Sequence, residues 1–316
     1  MKNILSLQNK ISPDDFAPLD ENYFKEESLE TEEIGYWKAS WIRLRSNKIA
    51  MVALVLIVIM FIFAFVGPML SPYSYDQQVR GDEALWPCFR HPFGTDRLGR
   101  DILVRCMIGT RISMIVGLVS AVIVMIVGSI YGAISGLVGG KVDIFMMRIV
   151  DIMSSIPWMV LVTVISLFLK RGLKSIIIVI GFFTWMEIAR LVRAETLSLK
   201  EREYVMYAKF VGIPGYVIIL KHIIPSVLPT IIIAASTGIA NAIMTESSLS
   251  FLGLGIQQPM SSWGSLLQNA QSYMQNAIYM AILPGLLIVL TIFAFNKLGN
   301  LLRIFVEPRV MSGEKD

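Results

Sequence analysis

Charged residues are scarce in this sequence, making up 16% of its 316 residues, whereas soluble domains contain about 25%. Hydrophobic residues make up 55%, and the mean hydropathy is +0.64. With so few charges, most of the surface of the folded chain cannot face water. The composition therefore excludes an ordinary soluble protein and predicts a membrane protein.

Histidine and cysteine are also rare, with two of each. The sequence holds neither an HExxH metal motif nor a GxSxG nucleophile motif. Lys141 follows two glycines, but no serine or threonine comes next, so the phosphate-binding pattern GxxxxGK(S/T) is incomplete. We therefore predict no catalytic, metal or cofactor site in this chain. Cys88 and Cys106 leave a disulfide and two free thiols as open alternatives.

Long apolar runs dominate the chain, and a helix needs about 20 apolar residues to cross a bilayer. Six runs are candidate spans: residues 49–70, 112–138, 144–169, 175–189, 226–252 and 277–295. Pro157 should kink the third helix, because proline removes a backbone hydrogen bond. The predicted fold class is an all-α integral membrane protein with about six transmembrane helices.

Lysine and arginine are unevenly distributed among the connections. If both termini lie in the cytoplasm, the cytoplasmic segments hold about twice as many of these residues as the other side, as the positive-inside rule requires. The basic residues form no patch, so nucleic acid is not an expected partner. Residues 1–35 are acidic and are predicted to be a disordered tail. Residues 36–48 are either an interfacial helix or a plain flanking segment.

Polar and small residues interrupt some of the spans. Arg148 and Asp151 are three residues apart and are expected to pair on one helix face. Glu246 lies about 30 Å along its span and is therefore expected near the outer surface, only partly buried. Four glycines spaced by four residues should let another helix approach closely, from this chain or from a partner. They are Gly128, Gly132, Gly136 and Gly140.

Residues 190–229 connect the fourth and fifth spans on the predicted cytoplasmic side. A helix-like run at 199–211 is followed by a break at 212–215, where glycine and proline cluster. The apolar run that follows, 216–224, should end at Pro225. Two short helices joined by this turn would make a compact knob. The knob either inserts into a groove on a cytosolic protein or lies as a hairpin on the lipid surface.

The predicted outer loop contains the sequence HPFGTDRLGRD at residues 91–101. Thr95 or Asp96 can cap a helix, and the two glycines permit tight turns. The loop either docks an outer protein or braces the bundle. Its candidate residues are His91, Gly94, Thr95, Asp96, Gly99, Arg100 and Asp101.

The knob resembles the coupling loop of ABC importer permeases, in which Glu-Ala-Ala, three residues and a glycine precede a hydrophobic-proline end. Ala208 and Gly212 match this pattern, whereas Met206 and Tyr207 depart from it. The hydrophobic-proline end corresponds to residues 223–225.

Three further stretches resemble the C-type permease subunit of dipeptide and oligopeptide importers. They are residues 91–101, 245–264 and 298–309. In the last stretch, Asn300 and Ile304 stand where aspartates are usual. The resemblance covers nearly the whole chain beyond its first 35 residues.

The resemblance implies a type I ABC importer permease with a MetI-like core of five helices at 111–303. An N-terminal region at 36–110 would precede the core, and a cytoplasmic tail at 304–316 would follow it. Coupling to the ATPase subunits would run through the loop at 201–225. Its candidate residues are Glu201, Glu203, Tyr204, Ala208, Gly212, Pro214, Ile223 and Pro225.

The implied function is import of oligopeptides or dipeptides across the bacterial cytoplasmic membrane. The implied partners are a homologous B-type permease, two ATPase subunits that bind ATP and magnesium, an extracellular peptide-binding protein and membrane lipid. Glu246, Arg148 and Asp151 would line the pathway, where Glu246 would meet a peptide amino terminus, or would brace the helices. The alternatives are a permease of the same family for nickel or another small solute, and a channel or scaffold without ATP coupling.

Overall fold

The computed structural model describes Arg45, residues 47–169 and residues 172–306. The predicted acidic tail and most of the predicted interfacial helix lie outside these residues. The described residues form helices and carry no strand beyond one isolated bridge between Thr95 and Asp101, so the all-α prediction is confirmed. The helices are α1 (Lys48–Phe65), α2 (Gly67–Leu70), α3 (Ile102–Val138), α4 (Gly140–Ser155), α5 (Trp158–Phe168), α6 (Leu173–Leu199), α7 (Glu203–Phe210), α8 (Gly215–Ile218), a π-helical segment (Ile219–Ile223), α9 (Ile224–Phe251), α10 (Trp263–Gln271) and α11 (Tyr279–Val306).

Five helices are long and apolar enough to cross a membrane. They are α1, α3, α6, the continuous helix Gly215–Phe251 and the Tyr279–Gly299 part of α11. α4 and the Trp158–Ile165 part of α5 form a sixth candidate span, which is bent by 83°. The prediction of about six transmembrane helices is therefore confirmed, with one of them broken.

The break in the third span lies where Pro157 was expected to kink it. α4 ends at Ser155, and Ile156 takes an extended backbone conformation, with φ −82° and ψ 127°. Pro157 then becomes the N-cap of α5. A proline pushes the preceding residue out of the helical region and cannot donate a backbone hydrogen bond. The result is a larger change of direction than a kink.

Two spans extend beyond their predicted limits because their charged residues find partners. α3 begins at Ile102 rather than at 112, and Asp101 caps it by accepting a hydrogen bond from the backbone N–H of Val104. α6 continues to Leu199 rather than stopping at 189. The connection predicted to begin at 190 therefore begins only after Leu199. α1, in contrast, ends earlier than predicted, at Phe65, before the Gly-Pro start of α2.

The predicted end of a short helix at Pro225 is wrong. Gly215–Phe251 is one continuous helix, and Pro225 lies in its interior just after the π-helical segment Ile219–Ile223. There the N–H of Ile224 bonds to the carbonyl of Ile219, five residues back. A proline ring clashes with the carbonyl four residues back in a regular α-helix. The wider turn accommodates the proline without ending the helix.

The most extensive helix pair is α3 against α6, and glycines make this contact close. A Cβ atom on Gly128 would lie 2.7 Å from the carbonyl oxygen of Trp185, and one on Gly136 would lie 2.7 Å from the Thr196 Cβ. A Cβ atom on Gly132 would collide with the carbonyl oxygen of Ala189. Of the two alternatives, the glycines thus pack within this chain. Gly140 is an exception, because it lies beyond the end of α3 and opens α4.

The bundle has two ends, which α3 connects. The turn end comprises residues 139–143 and 199–218, where a Cβ atom on Gly139 would lie 3.7 Å from the Nζ of Lys200. The loop end comprises residues 71–101 and 252–280, where the side chain of Arg100 bonds to that of Gln258 at 3.1 Å.

We expect Gly132→Ala to destabilise the protein, because the added methyl group meets the backbone of α6. Overpacking of this kind costs about 1–3 kcal/mol. The measurement is the melting temperature of the purified protein in detergent. Gly285→Ala is the matched control, since a Cβ atom on Gly285 has no neighbour within 4 Å among the described residues. Equal melting temperatures for the two variants would contradict the close contact.

Candidate functional site

The turn end carries a rigid projection between α6 and the long helix Gly215–Phe251. α7 ends in a Schellman motif, in which the N–H of Gly212 bonds to the carbonyl of Lys209 and the N–H of Ile213 to the carbonyl of Ala208, each at 3.0 Å. Gly212 has φ +81°, which favours glycine at this position. The predicted break at 212–215 is thus confirmed, but only α7 is a separate short helix.

The inner side of this projection is anchored in the core. Val205, Ala208, Ile218 and Ile223 are buried in the cluster that includes the α3–α6 contact. Two of the sequence candidates, Ala208 and Ile223, therefore hold the projection in place. The other candidates lie on its exposed side: Glu201, Glu203, Tyr204, Gly212, Pro214 and Pro225.

The outer side of the projection presents aromatic side chains. Phe210 is 89% exposed, Tyr207 69% and Tyr216 68%. We name these three residues the aromatic tip. In the sequence, Tyr207 stands out only as a departure from the coupling-loop pattern, and the other two residues are not predicted to be functional. The signal available was large aromatic residues in a short turn, where polar residues are usual. Apolar groups exposed on a rigid turn are typical of a protein contact.

A partly buried ion pair joins α4 and α6 next to the projection. The Arg193 guanidinium binds both carboxylate oxygens of Asp143, with a distance of 2.6 Å from Nη2 to Oδ2. The hydroxyl of Ser135 on α3 donates to the same carboxylate at 2.5 Å. Bidentate pairs of this kind fix geometry strongly. The sequence analysis missed both ionised residues, although charges in apolar helices are a recognised signal.

The predicted pairing of Arg148 with Asp151 is wrong. Asp151 pairs instead with Arg190 on α6, at 3.1 Å, and Arg190 also donates to the hydroxyl of Ser154 at 3.0 Å. Arg148 is exposed on the surface of α4. The break at Pro157 leaves α4 alongside α6, so a partner on the neighbouring helix is reached more directly than one on the same helix.

The predicted partial burial of Glu246 is also wrong, because its side chain has no exposed surface. The hydroxyls of Ser113 on α3 and Ser250 on α9 each donate to its carboxyl group at 2.7 Å. Glu246 therefore ties α9 to α3. This arrangement favours bracing over contact with a substrate.

The loop end is organised around Asp101, which caps α3 and also binds His91. The Asp101 Oδ2 lies 2.8 Å from the Nδ1 of His91, and both side chains are buried. The predicted helix caps, Thr95 and Asp96, have other partners. Thr95 accepts a hydrogen bond from the N–H of Leu85 at 2.9 Å. Asp96 accepts hydrogen bonds from two backbone N–H groups of its own turn.

Two arginines bind around Asp96 and link the loop to the bundle. Arg100 donates to its carboxylate at 2.7 Å. Arg105 on α3 is fully buried, lies 3.8 Å from the same carboxylate and donates to the carbonyl of Tyr75 at 3.0 Å. Since all seven candidate residues of the loop are buried, their side chains brace the bundle and offer no docking surface of their own.

Both cysteines are free thiols. Cys88 is exposed in the loop, whereas Cys106 is buried in α3. Of the two alternatives left open by the sequence, the structure therefore has the free thiols.

A cavity of about 420 Å³, which we name the central cavity, lies between α3, α6 and α9. Small residues form much of its wall, and a few polar side chains reach it. The residues that line it include Ser120, Ala121, Thr184, Glu187, Gly238 and Asn241. The sequence analysis did not place these residues together.

The chain is similar to membrane components of transport systems along most of its length. Residues 128–312 match the family described as binding-protein-dependent transport system inner membrane component. Residues 35–87 match the N-terminal transmembrane domain of oligopeptide transport permease C.

Individual relatives support the same match. The oligopeptide transport system permease protein of Escherichia coli strain K12 is 41% identical over 90% of this chain and 94% of its own length. The dipeptide transport system permease protein of Bacillus subtilis strain 168 is 35% identical over 96% and 95%. The glutathione transport system permease protein of Pectobacterium atrosepticum is 35% identical over 87% and 92%.

We expect Asp101→Ala to lower the stability of the chain by about 1–3 kcal/mol, because it removes the cap of α3 and the hydrogen-bond partner of a buried histidine. Thermal unfolding in detergent measures the effect. Asp76→Ala, which alters an exposed aspartate of the same loop, should leave the melting temperature unchanged. If the two variants melt alike, Asp101 does not organise the loop end.

Proposed function

The chain belongs to the family of inner membrane components of binding-protein-dependent transport systems, and from this premise we propose that it is a permease subunit of an ATP-driven peptide importer. Its relatives are named for oligopeptides, dipeptides and glutathione, which are all peptides. The similarity covers both the described bundle and the N-terminal region. The substrate class is therefore a peptide.

The proposed energy source is a pair of ATPase subunits that bind at the turn end. The aromatic tip supports this assignment, since three large side chains there make little contact with the rest of the chain. The projection is also held from behind by buried residues of α7 and α8. A projection with an apolar surface and a rigid interior can bind a partner subunit and transmit the movement of that subunit to the bundle. ATP and magnesium would bind to the partner subunits.

The long helix Gly215–Phe251 transmits this movement from the projection into the bundle. It starts at the projection and runs beside α3, where Glu246 ties it to Ser113. A displacement of the projection therefore moves the wall of the central cavity. Together with a homologous second permease, such movements would open the pathway to each side of the membrane in turn.

We further propose that the turn end and both termini lie in the cytoplasm. The excess of lysine and arginine in the connections at that side supports this orientation. The loop end would then face outward, where an extracellular peptide-binding protein delivers its cargo. The membrane would be the cytoplasmic membrane of a bacterium.

A thiol-labelling experiment tests the orientation with the natural Cys88. A membrane-impermeant maleimide should label the chain in intact cells that lack the binding protein, and Cys88→Ser should abolish this labelling, because Cys106 is buried. Lys209→Cys, added to the Cys88→Ser variant, should be labelled only after the cells are permeabilised. Labelling of Lys209→Cys in intact cells would show that the projection faces outward and would contradict the proposed orientation.

The function itself is tested by reconstituting the complete complex in proteoliposomes and measuring uptake of a labelled tripeptide. The wild-type complex should take up the peptide only with ATP. Phe210→Ala should reduce ATP-driven uptake and the amount of ATPase that co-purifies with the permease by about tenfold, because a central aromatic residue of an interface contributes most of its binding energy.

Phe89→Ala is the matched control for this substitution. Phe89 is fully exposed at the loop end, so its removal should leave ATPase co-purification unchanged. ATP-independent uptake by the wild-type complex would favour a channel and contradict the proposal. If the ATPase co-purifies normally with the Phe210→Ala permease, this result would contradict the role of the aromatic tip but not the proposed transport function.

A further inference from the structure

Glu187 is an unpartnered acid in the middle of a membrane-spanning helix. It lies about 21 Å from the start of α6 and about 18 Å from its end, at 1.5 Å per residue. Its side chain is exposed and reaches the central cavity. Among the described residues, none forms a hydrogen bond or an ion pair with it. An ionisable side chain of a membrane-spanning helix cannot face lipid without a large cost, so Glu187 faces water or a cation.

Three other acids of the bundle have partners within the chain. Asp143 is bound by Arg193, Asp151 by Arg190, and Glu246 by two serine hydroxyls. Glu195, the remaining acid of α6, also has no partner among the described residues, but it lies outside the cavity. Glu187 is different, because the chain supplies a space in front of it rather than a partner.

The cavity beside Glu187 has the dimensions and the wall of a ligand site. Its volume of about 420 Å³ falls within the range of about 300–1,000 Å³ that is usual for small-molecule pockets. Alanine and glycine residues form much of the wall, and a Cβ atom on Gly238 would find no neighbour within 4 Å. The chain thus leaves this space unfilled by its own side chains.

Two further polar groups reach the cavity without a partner among the described residues, the carboxamide of Asn241 and the buried hydroxyl of Ser120. Thr184 and Thr237 also line the cavity, but their hydroxyls donate to carbonyls of their own helices, those of Ile180 and Ile233. The cavity therefore offers one carboxylate, one carboxamide, one unpaired hydroxyl and an otherwise largely apolar wall. A carboxylate accepts hydrogen bonds from an ammonium group, and a carboxamide can pair with a peptide group.

We propose that this cavity is a peptide-binding station on the translocation path, with Glu187 binding the free α-ammonium group of the peptide and Asn241 binding its first peptide unit. This inference rests on the proposed function, which makes the amino terminus the one cation common to unmodified peptides. The small apolar residues of the wall accommodate side chains of different sizes. The site thus recognises the amino terminus and the first peptide unit, which peptides share, and tolerates side chains that differ between them.

The first test measures uptake by the reconstituted complex at saturating peptide-loaded binding protein. Glu187→Gln should lower the rate of peptide uptake about tenfold, as expected for loss of one charged hydrogen bond. Glu187→Asp should keep at least half of the wild-type rate, because it retains the carboxylate. Glu195→Gln is the matched control on the same helix, outside the cavity, and should transport as the wild type does. Basal ATPase activity should be unchanged in Glu195→Gln.

The second test asks whether water and peptide reach this position. Glu187→Cys in a Cys88→Ser background should react with a small, charged methanethiosulfonate reagent applied to the reconstituted complex. The labelling should slow severalfold while the complex transports peptide. The same reagent should not label the parent Cys88→Ser chain, whose remaining thiol is buried.

Three results would overturn the proposal. Normal uptake by Glu187→Gln would show that the charge is not needed. Loss of the second permease from purified Glu187→Gln complexes would show that the carboxylate binds a basic residue of that partner instead. Absence of labelling, or labelling that transported peptide does not slow, would show that the site does not lie on the translocation path. Failure of the wild-type complex to import peptide with ATP would instead contradict the proposed function, so the two failures are distinguishable.

Discussion

The contact between α3 and α6 is backbone against backbone, and the rest of the bundle depends on it. Three glycines of α3 create a groove in which the carbonyls of Trp185 and Ala189 lie. Within a membrane, the hydrophobic effect does little to hold helices together, so close packing of small residues has to supply the attraction. The same groove fixes the rotation of α6. It brings Arg193 to Asp143 and turns Glu187 toward the central cavity.

Charges in the bundle follow from the cost of placing them in lipid. Each end satisfies them in its own way. Near the turn end, Arg190 and Arg193 of α6 pair with Asp151 and Asp143 of α4. At the loop end, Asp96 pairs with Arg100, and Asp101 binds His91. These pairs hold helices in position and leave the aromatic tip and the cavity as the surfaces available for partners. Structure and function thus use different residues, although both sets lie on the same helices.

The sequence predicts the spans well because hydropathy depends on composition over long windows. It also predicts the turn at Gly212, since few residues other than glycine tolerate that backbone conformation. It fails where a charge or a proline is compensated by a distant residue. Arg190 ends the predicted fourth span, yet Asp151, which lies 39 residues away in sequence, pairs with it and the helix continues. Pro225 ended the predicted knob, yet the π-helical segment carries the chain through. The depth of Glu246 was misjudged because its serine partners lie on another part of the fold.

The continuous helix Gly215–Phe251 sets a strict register between the two faces of the membrane. Each residue of an α-helix turns the chain by about 100° and advances it by about 1.5 Å. A single insertion or deletion between Pro229 and Asn241 would therefore rotate Glu246 away from Ser113 while the projection stayed in place. The length of this segment is consequently constrained, and homologous permeases should add or lose residues only in the surface connections.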